Sequence, residues 1–212
     1  FALNTSFKDQ AEFYSNIWAL PKKLGLDNYI QAFSQGHIGE YFLNSIIIAV
    51  VSLILIEVIS VMAAYSLARL RIPHTGAIQL LPTETIIIPL YKMMSSMGLL
   101  HLRYVPIILA YVGWSIPGTT VILKNFFDTI PKELLEAARI DGSGEIRNLF
   151  TIVLPLMKGA LSTCIVMNFT FIWGELMWAK TATLTTDKGL PLTVGLMSFK
   201  GEYGTQWSLM CA

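Results

Sequence analysis

Hydrophobic positions in this chain come in long blocks separated by short polar segments. The clearest block is Tyr41 to Leu67, 27 residues with one ionisable side chain, Glu57. At ~1.5 Å of rise per residue, a helix of that length crosses a ~30 Å hydrocarbon layer with room for tilt. Arg69 and Arg71 follow at once, and Pro73 with Gly76 ends the helix. Residues 77–94 form an awkward second block: Pro82, Glu84 and Pro89 leave only about a dozen strongly apolar positions, short for a span, so it reads as broken or incompletely represented. Tyr104 to Leu123 is the third, interrupted by Pro106 and Pro117-Gly118, breakers that membrane helices tolerate when neighbouring helices satisfy the freed backbone groups. Leu156 to Trp178 is the fourth, with Trp178 and Lys180 as interfacial aromatic and anchor. Trp207 opens a further block and Phe1 to Phe7 is the tail of an earlier one, so both ends read as trimmed. The pattern predicts an all-α, polytopic membrane protein with about six spans in the full protein.

Composition agrees. Of 212 residues, 54% are hydrophobic and 14% charged, against roughly 25% charged in soluble domains; mean hydropathy is +0.58. The net charge of +1 implies no nucleic-acid partner. Cys164 and Cys211 lie in apolar stretches without paired spacing, which predicts packing rather than a disulfide or metal site. His37, His74 and His101 fall on separate loops, and neither H-E-x-x-H nor G-x-S-x-G occurs, so no enzyme chemistry is indicated. Placing the Arg69–Arg71 loop and 124–158 inside the cell puts four of the five arginines there, and 8–40, 92–103 and 180–206 outside.

Residues 124–158 are the most polar region, with five basic and five acidic side chains. Pro131 suits a first helical turn, where its missing N–H costs nothing. The run to Arg139 is rich in helix formers, with Glu133 and Glu136 early and Arg139 late, as the helix dipole favours. Leu134, Leu135 and Ala138 are placed on one face. Gly142 stops the helix, Gly144 follows, and a second short helix around Glu145 to Phe150 leads to Pro155. Amphipathicity alone leaves two readings open: a projecting helix–turn–helix, or a loop helix lying on lipid headgroups.

Residue order favours the first. Glu136-Ala137-Ala138, three residues, Gly142, nine residues, then Ile152-Val153-Leu154-Pro155 fits E-A-A-x3-G-x9-I-x-L-P at every defined position. This resembles the EAA loop of bacterial ABC importer permeases. Asn44-Ser45, Ala63-Ala64-Tyr65-Ser66-Leu67-Ala68-Arg69 and Pro191-Leu192-Thr193-Val194-Gly195-Leu196 extend the likeness over nearly the whole chain. They resemble the carbohydrate-uptake branch, with its maltose-type second permease subunits. The resemblance implies one transmembrane domain over 1–212 with a cytoplasmic coupling helix seated in an ATPase cleft. There Glu136 would meet a basic group, Ala137 and Ala138 would allow close approach, Gly142 the turn, and Leu154-Pro155 the return to the membrane. It further implies a second permease subunit in a heterodimer, two ATPase copies, an extracytoplasmic solute-binding protein meeting the loop 181–206, and surrounding lipid. The implied location is a bacterial or archaeal cytoplasmic membrane. No P-loop sequence occurs, so ATP and Mg²⁺ belong to the partner ATPase and this chain binds no cofactor.

For the solute path, ionisable residues inside spans are the first candidates. Glu57 either faces the path or pairs with another helix or subunit; Glu84 beside Pro82 suits an interfacial bend. Asn168, Phe171 and Glu175 fall near one helical face, with Phe171 and Glu175 four apart. Polar groups beside aromatic rings suit sugars, which offer hydroxyls and apolar C–H faces. Glu175 equally suits the outer mouth. Gly174 departs from the branch, which often has Asn there. The segment between Arg71 and Pro82 is also shorter than the branch pattern by roughly eight to nine residues; a shortened span would expose backbone polar groups to lipid, so residues are expected to be missing. Cargo therefore stays open between a sugar or oligosaccharide and another solute such as glycerol phosphate. A stand-alone secondary transporter using Glu57 for protons is the remaining alternative, which leaves the coupling loop unexplained.

Overall fold

A computed structural model describes residues 1–70, 83–186, 188–201 and 204–211. The helix break at Pro73 and Gly76, Arg71, the shortened stretch up to Pro82 and the start of the second apolar block lie outside the described residues. In chain order the helices are α1 (Ala2–Ser6), α2 (Gln10–Ser15), α3 (Asp27–Gln35), α4 (Ile38–Leu70), α5 (Thr83–Ser96), a 3-10 turn (Leu99–His101) and α6 (Val105–Phe127). Then come α7 (Lys132–Ile140), α8 (Glu145–Asn148), a π-turn (Leu149–Val153), α9 (Leu154–Leu156), α10 (Lys158–Gly174), α11 (Met177–Ala182) and α12 (Leu192–Gly195). A 3-10 turn (Leu196–Phe199), the two-residue antiparallel strands β1 (Lys200–Gly201) and β2 (Gly204–Thr205), and α13 (Trp207–Cys211) close the described chain. Two compact units result: Phe1–Ile48 with Glu175–Ala212, and Ala49–Gly174.

In the second unit α4 has the length and composition of a span, yet only 33% of its most apolar stretch is buried within the chain. Val50, Ile54, Val58 and Met62 are all exposed. Such a surface is stable only where lipid or another apolar subunit replaces water. The opposite edge of α4 presents Val61 and Ala64 to Leu123 and Phe127 of α6, Leu149 and Val153 of the π-turn, and Met157, Ala160 and Cys164 around α10. Small side chains on that seam let helix backbones approach closely. Helix α6 runs unbroken through Pro117, and Pro106 sits in its first turn. The fourth apolar block is divided: α10 stops at Gly174 and α11 begins at Met177.

The first unit is wired by polar contacts. Lys8 is fully buried, its Nζ donating to the carbonyls of Asn16 (3.1 Å) and Ile17 (3.0 Å). Asn28 Nδ2 donates to the carbonyls of Ser6 and Lys8. The ring of Trp207 stacks on Phe13 at 6.1 Å, which docks α13 beside α2. Trp178 is fully buried rather than interfacial, because the helix containing it begins after the break at Gly174 and turns the indole into the unit's core. Near the start of α4, Asn44 Nδ2 donates to the Leu190 carbonyl at 3.0 Å and the Leu192 N–H donates to Ser45 Oγ at 2.7 Å. Asn44-Ser45 therefore anchors the loop before α12.

Leu123 is fully buried on the seam and Ile54 is exposed. Leu123→Ala is expected to cost about 2–5 kcal/mol, whereas Ile54→Ala stays within about 0.5 kcal/mol. Thermal melting of the purified variants in one detergent checks this; equal shifts would contradict the assignment of the packed and outer faces of these helices.

Candidate functional site

Pro131 stands at the N-cap of α7, with Glu133 in the first turn and Arg139 in the last. At 100° per residue, Glu133, Glu136, Ala137 and Ile140 share one face, and all four are exposed. Leu135 and Ala138 lie on the other side and are half-buried, Leu135 against the helical seam. Leu134 falls within the same arc as Leu135 and Ala138, at its edge, and is exposed. Of the two motif alanines, Ala137 is presented outward beside Glu136, and Ala138 turns towards its own chain.

The helix ends in a Schellman motif. Gly142 N–H donates to the Arg139 carbonyl at 3.0 Å and Ser143 N–H to the Ala138 carbonyl at 2.9 Å. Gly142 takes φ +78° to make this turn, with open space where a side chain would begin. Any penalty for a side chain there is conformational rather than steric. Glu145 then accepts two hydrogen bonds, from Tyr65 OH at 2.6 Å and from Arg139 Nε at 3.1 Å. The π-turn follows, and the segment Glu145–Leu156 meets α10 at 77°. Pro155 explains part of that bend: it has no N–H to offer the Thr151 carbonyl one helical turn back. Leu154 packs on the seam and Pro155 is exposed.

A second constellation lies among the spans of the same unit. Asn168 Nδ2 donates to Thr119 Oγ1 at 3.0 Å, both residues being buried. They line a recess of about 200 Å³ with Trp114, Ser115, Cys164 and Met167. Both carboxylate oxygens of Glu57 are shielded; the Asn168 amide is its hydrogen-bonding neighbour and Cys164 lies close by. Phe171 packs edge-on against Tyr111 at 6.0 Å and Trp114 at 6.5 Å. Glu57, Asn168 and Phe171 thus belong to one neighbourhood.

Glu175 does not extend their helical face, because α10 has already ended. Its two oxygens accept the N–H groups of Trp178 (2.8 Å) and Ala179 (3.1 Å), capping the start of α11. Trp114, Ser115 and Thr119 were not singled out from sequence, although Tyr111, Ser115 and Thr119 recur at helical spacing within an apolar block. Glu84's side chain lies outside what is described. No group of three or more potential ligands is placed to hold a metal among the described residues.

Long apolar helices interrupted by a capped, exposed helix–turn–helix are the frame of an all-α membrane protein with one projecting polar loop. Residues 58–212 match the family described as binding-protein-dependent transport system inner membrane component. The chain is 33% identical to the diacetylchitobiose uptake permease of Streptomyces coelicolor, the alignment covering 94% of this chain and 68% of that protein. It is 33% identical to the melibiose/raffinose/stachyose import permease of Bacillus subtilis, covering 99% and 78%. The sulfoquinovosyl glycerol transport permease of Agrobacterium fabrum is 34% identical, covering 99% and 76%. The fold is similar to a chain of a bacterial ABC transporter involved in alginate import, with TM-score 0.80 and 19% identity over 100% of this chain and 81% of that one. The chain belongs to the binding-protein-dependent transport family as a membrane-spanning permease subunit.

Two outcomes follow from the geometry. Gly142→Ala is expected to cost about 1–2 kcal/mol at the turn, and Gly142→Asn less, because Asn tolerates the left-handed region. Proteolysis of the loop in detergent reads the order, and equal sensitivity of both variants would contradict it. Glu57→Gln replaces a carboxylate shielded from water by a neutral group that can still meet the Asn168 amide. It is expected to raise the melting temperature by about 2–4 °C; a fall would show that the carboxylate is satisfied in place.

Proposed function

We propose that this chain forms half of the translocation pathway of an ATP-driven importer for a sugar or oligosaccharide, acting over 1–212 as one transport domain. On this reading α7 and the turn after it lie in the cytoplasm and seat in a cleft of the partner ATPase, where ATP and Mg²⁺ are bound. The observation that carries it is the surface of that loop. Ile140 is 86% exposed and Ile146 76% exposed, outside the spans and close in sequence to Glu136 and Ala137. Apolar side chains presented on a rigidly capped helix call for a covering surface. Glu136 supplies a charge that a basic group on that surface would meet, and Ala137 permits close approach.

The Asn168–Thr119 recess is the proposed solute-facing part. It offers hydroxyl and amide groups beside Trp114, a combination suited to polyols. Among the described residues lining the recess none is Lys or Arg, which favours a neutral sugar over glycerol phosphate. Relatives named for chitobiose and for raffinose-type sugars support the same cargo class. Glu175 is proposed to shape the outer mouth through its cap on α11. A companion permease in a heterodimer, two ATPase copies and an extracytoplasmic binding protein near 181–206 complete the assembly. The setting is a bacterial or archaeal cytoplasmic membrane.

The test is co-expression with the companion permease and ATPase, with and without Glu136→Lys. Reversing this charge is expected to reduce ATPase co-purification about tenfold or more, equivalent to ~1.4 kcal/mol. Undiminished assembly together with undiminished uptake of a tritiated disaccharide would remove the loop from the coupling role.

A further inference from the structure

Glu145 is the first residue of α8, three beyond the left-handed turn at Gly142. Its two oxygens serve different elements. Oε1 takes Arg139 Nε, at the end of α7, and Oε2 takes the hydroxyl of Tyr65, on α4. The Tyr65 contact, 2.6 Å, has the length of a charge-assisted O–H···O⁻ bond. Arg139 and Glu145 are about half exposed (47% and 45%), so in water their ion pair adds little to stability. Stability is a weak reason for the arrangement. Its other property is connectivity, since one carboxylate joins the exposed helix, the turn after it and a span.

The Tyr65 end is fixed. Its ring lies 5.7 Å from that of Phe127 and packs on the seam of Val61, Ala64, Leu123 and Val153. Going up α4 from Tyr65, residues Val61 and Glu57 follow at intervals of four, on one face. Eight residues of helix is ~12 Å, barely more than two turns of a rigid rod. The shielded carboxylate of Glu57 therefore lies on the same helix edge as the clasped tyrosine. A surface that covered the loop would also exclude water from the clasp and strengthen both of its bonds.

We infer that Glu145 is a positioning residue that clasps α7 to α4, so that displacement of the loop is delivered along α4 to the Glu57–Asn168 cluster. This rests on the coupling reading proposed above and adds the route by which the motion leaves the loop. Tyr65 is the receiving end and Arg139 the sending end.

Cys164 supplies a readout that needs no knowledge of the solute. It is buried, lines the recess and interacts with Glu57. In the assembled complex in nanodiscs, on a Cys211→Ser background, the rate of N-ethylmaleimide addition at Cys164 is followed by mass spectrometry. It is compared between nucleotide-free and vanadate-trapped states. Tyr65→Phe, which removes one hydroxyl away from the docking face, is expected to keep ATPase co-purification and hydrolysis within about twofold. It is expected to shrink the nucleotide-dependent change at Cys164 about fivefold, the lower end of ordinary coupling between sites. Glu145→Ala should do the same or more, and Glu145→Gln, which retains an acceptor, should restore part of the change.

An undiminished change at Cys164 in both Tyr65→Phe and Glu145→Ala overturns the clasp, even if melting temperatures fall. Loss of ATPase binding in Tyr65→Phe also overturns it, in favour of a docking role. The coupling reading fails separately, and takes the clasp with it, if the parent shows no nucleotide-dependent change and Glu136→Lys still binds the ATPase.

Discussion

Close packing of α4 against the chain that follows it is the contact on which the second unit depends. In lipid there is no gain from removing apolar groups from water, so helices associate through van der Waals fit and polar contacts. Ala64 and Ala160 are the small residues that make the fit here, and Leu123, Val153 and Met157 fill the space between them. This one seam holds two spans, the π-turn and the bend at Pro155. It also fixes where Tyr65 stands, and hence where the loop can be tied. The outer side of α4 can be uniformly apolar because nothing within the chain has to pack on it.

The loop between α6 and α10 is built by different means. It has little core of its own, and its order comes from local chemistry: the Schellman turn at Gly142, the two hydrogen bonds to Glu145, and Leu135 and Leu154 inserted into the seam. Short-range hydrogen bonds make it a defined shape without burying its outward face. Ile140, Ile146 and Phe150 remain exposed on a structure that is nevertheless ordered. That combination fits the partner-covered surface proposed above and separates this loop from a segment lacking enough contacts to fold.

Much of this could be seen before any coordinates, and the reasons differ by element. The block at 41–67 predicts a span because its apolar run is long; helix α4 exceeds it at both ends because no proline stands between Ile38 and Leu70. The turn at Gly142 was legible because glycine tolerates positive φ and basic and acidic residues flank the helix as its dipole favours. Helices α2 and α3 were not separated from the outer segment 8–40, being short and held by tertiary hydrogen bonds such as those of Lys8 and Asn28. Glu175 was misleading in a specific way. An acid within an apolar block reads as facing a path, but the helix stops one residue earlier and the carboxylate caps the next one. Tyr65 and Glu145 are 80 residues apart, a pairing that no periodicity reveals.

The placement of Glu57 gives the physical argument for why the seam and the recess occur together. A carboxylate shielded from water inside a span costs free energy, whether it is held charged or neutral. Close packing imposes that cost, and the Asn168 amide is the polar neighbour that offsets part of it in this arrangement of the helices. A modest shift of α4 would change that compensation by more than it changes the packing of its outer, lipid-like face. The cluster is therefore the part of the unit most sensitive to α4's position, and Tyr65 is the point at which that position meets the loop. Under the proposed coupling role, sensitivity at one end and a tie at the other are the two properties that transmission along α4 requires. Neither depends on which solute is carried.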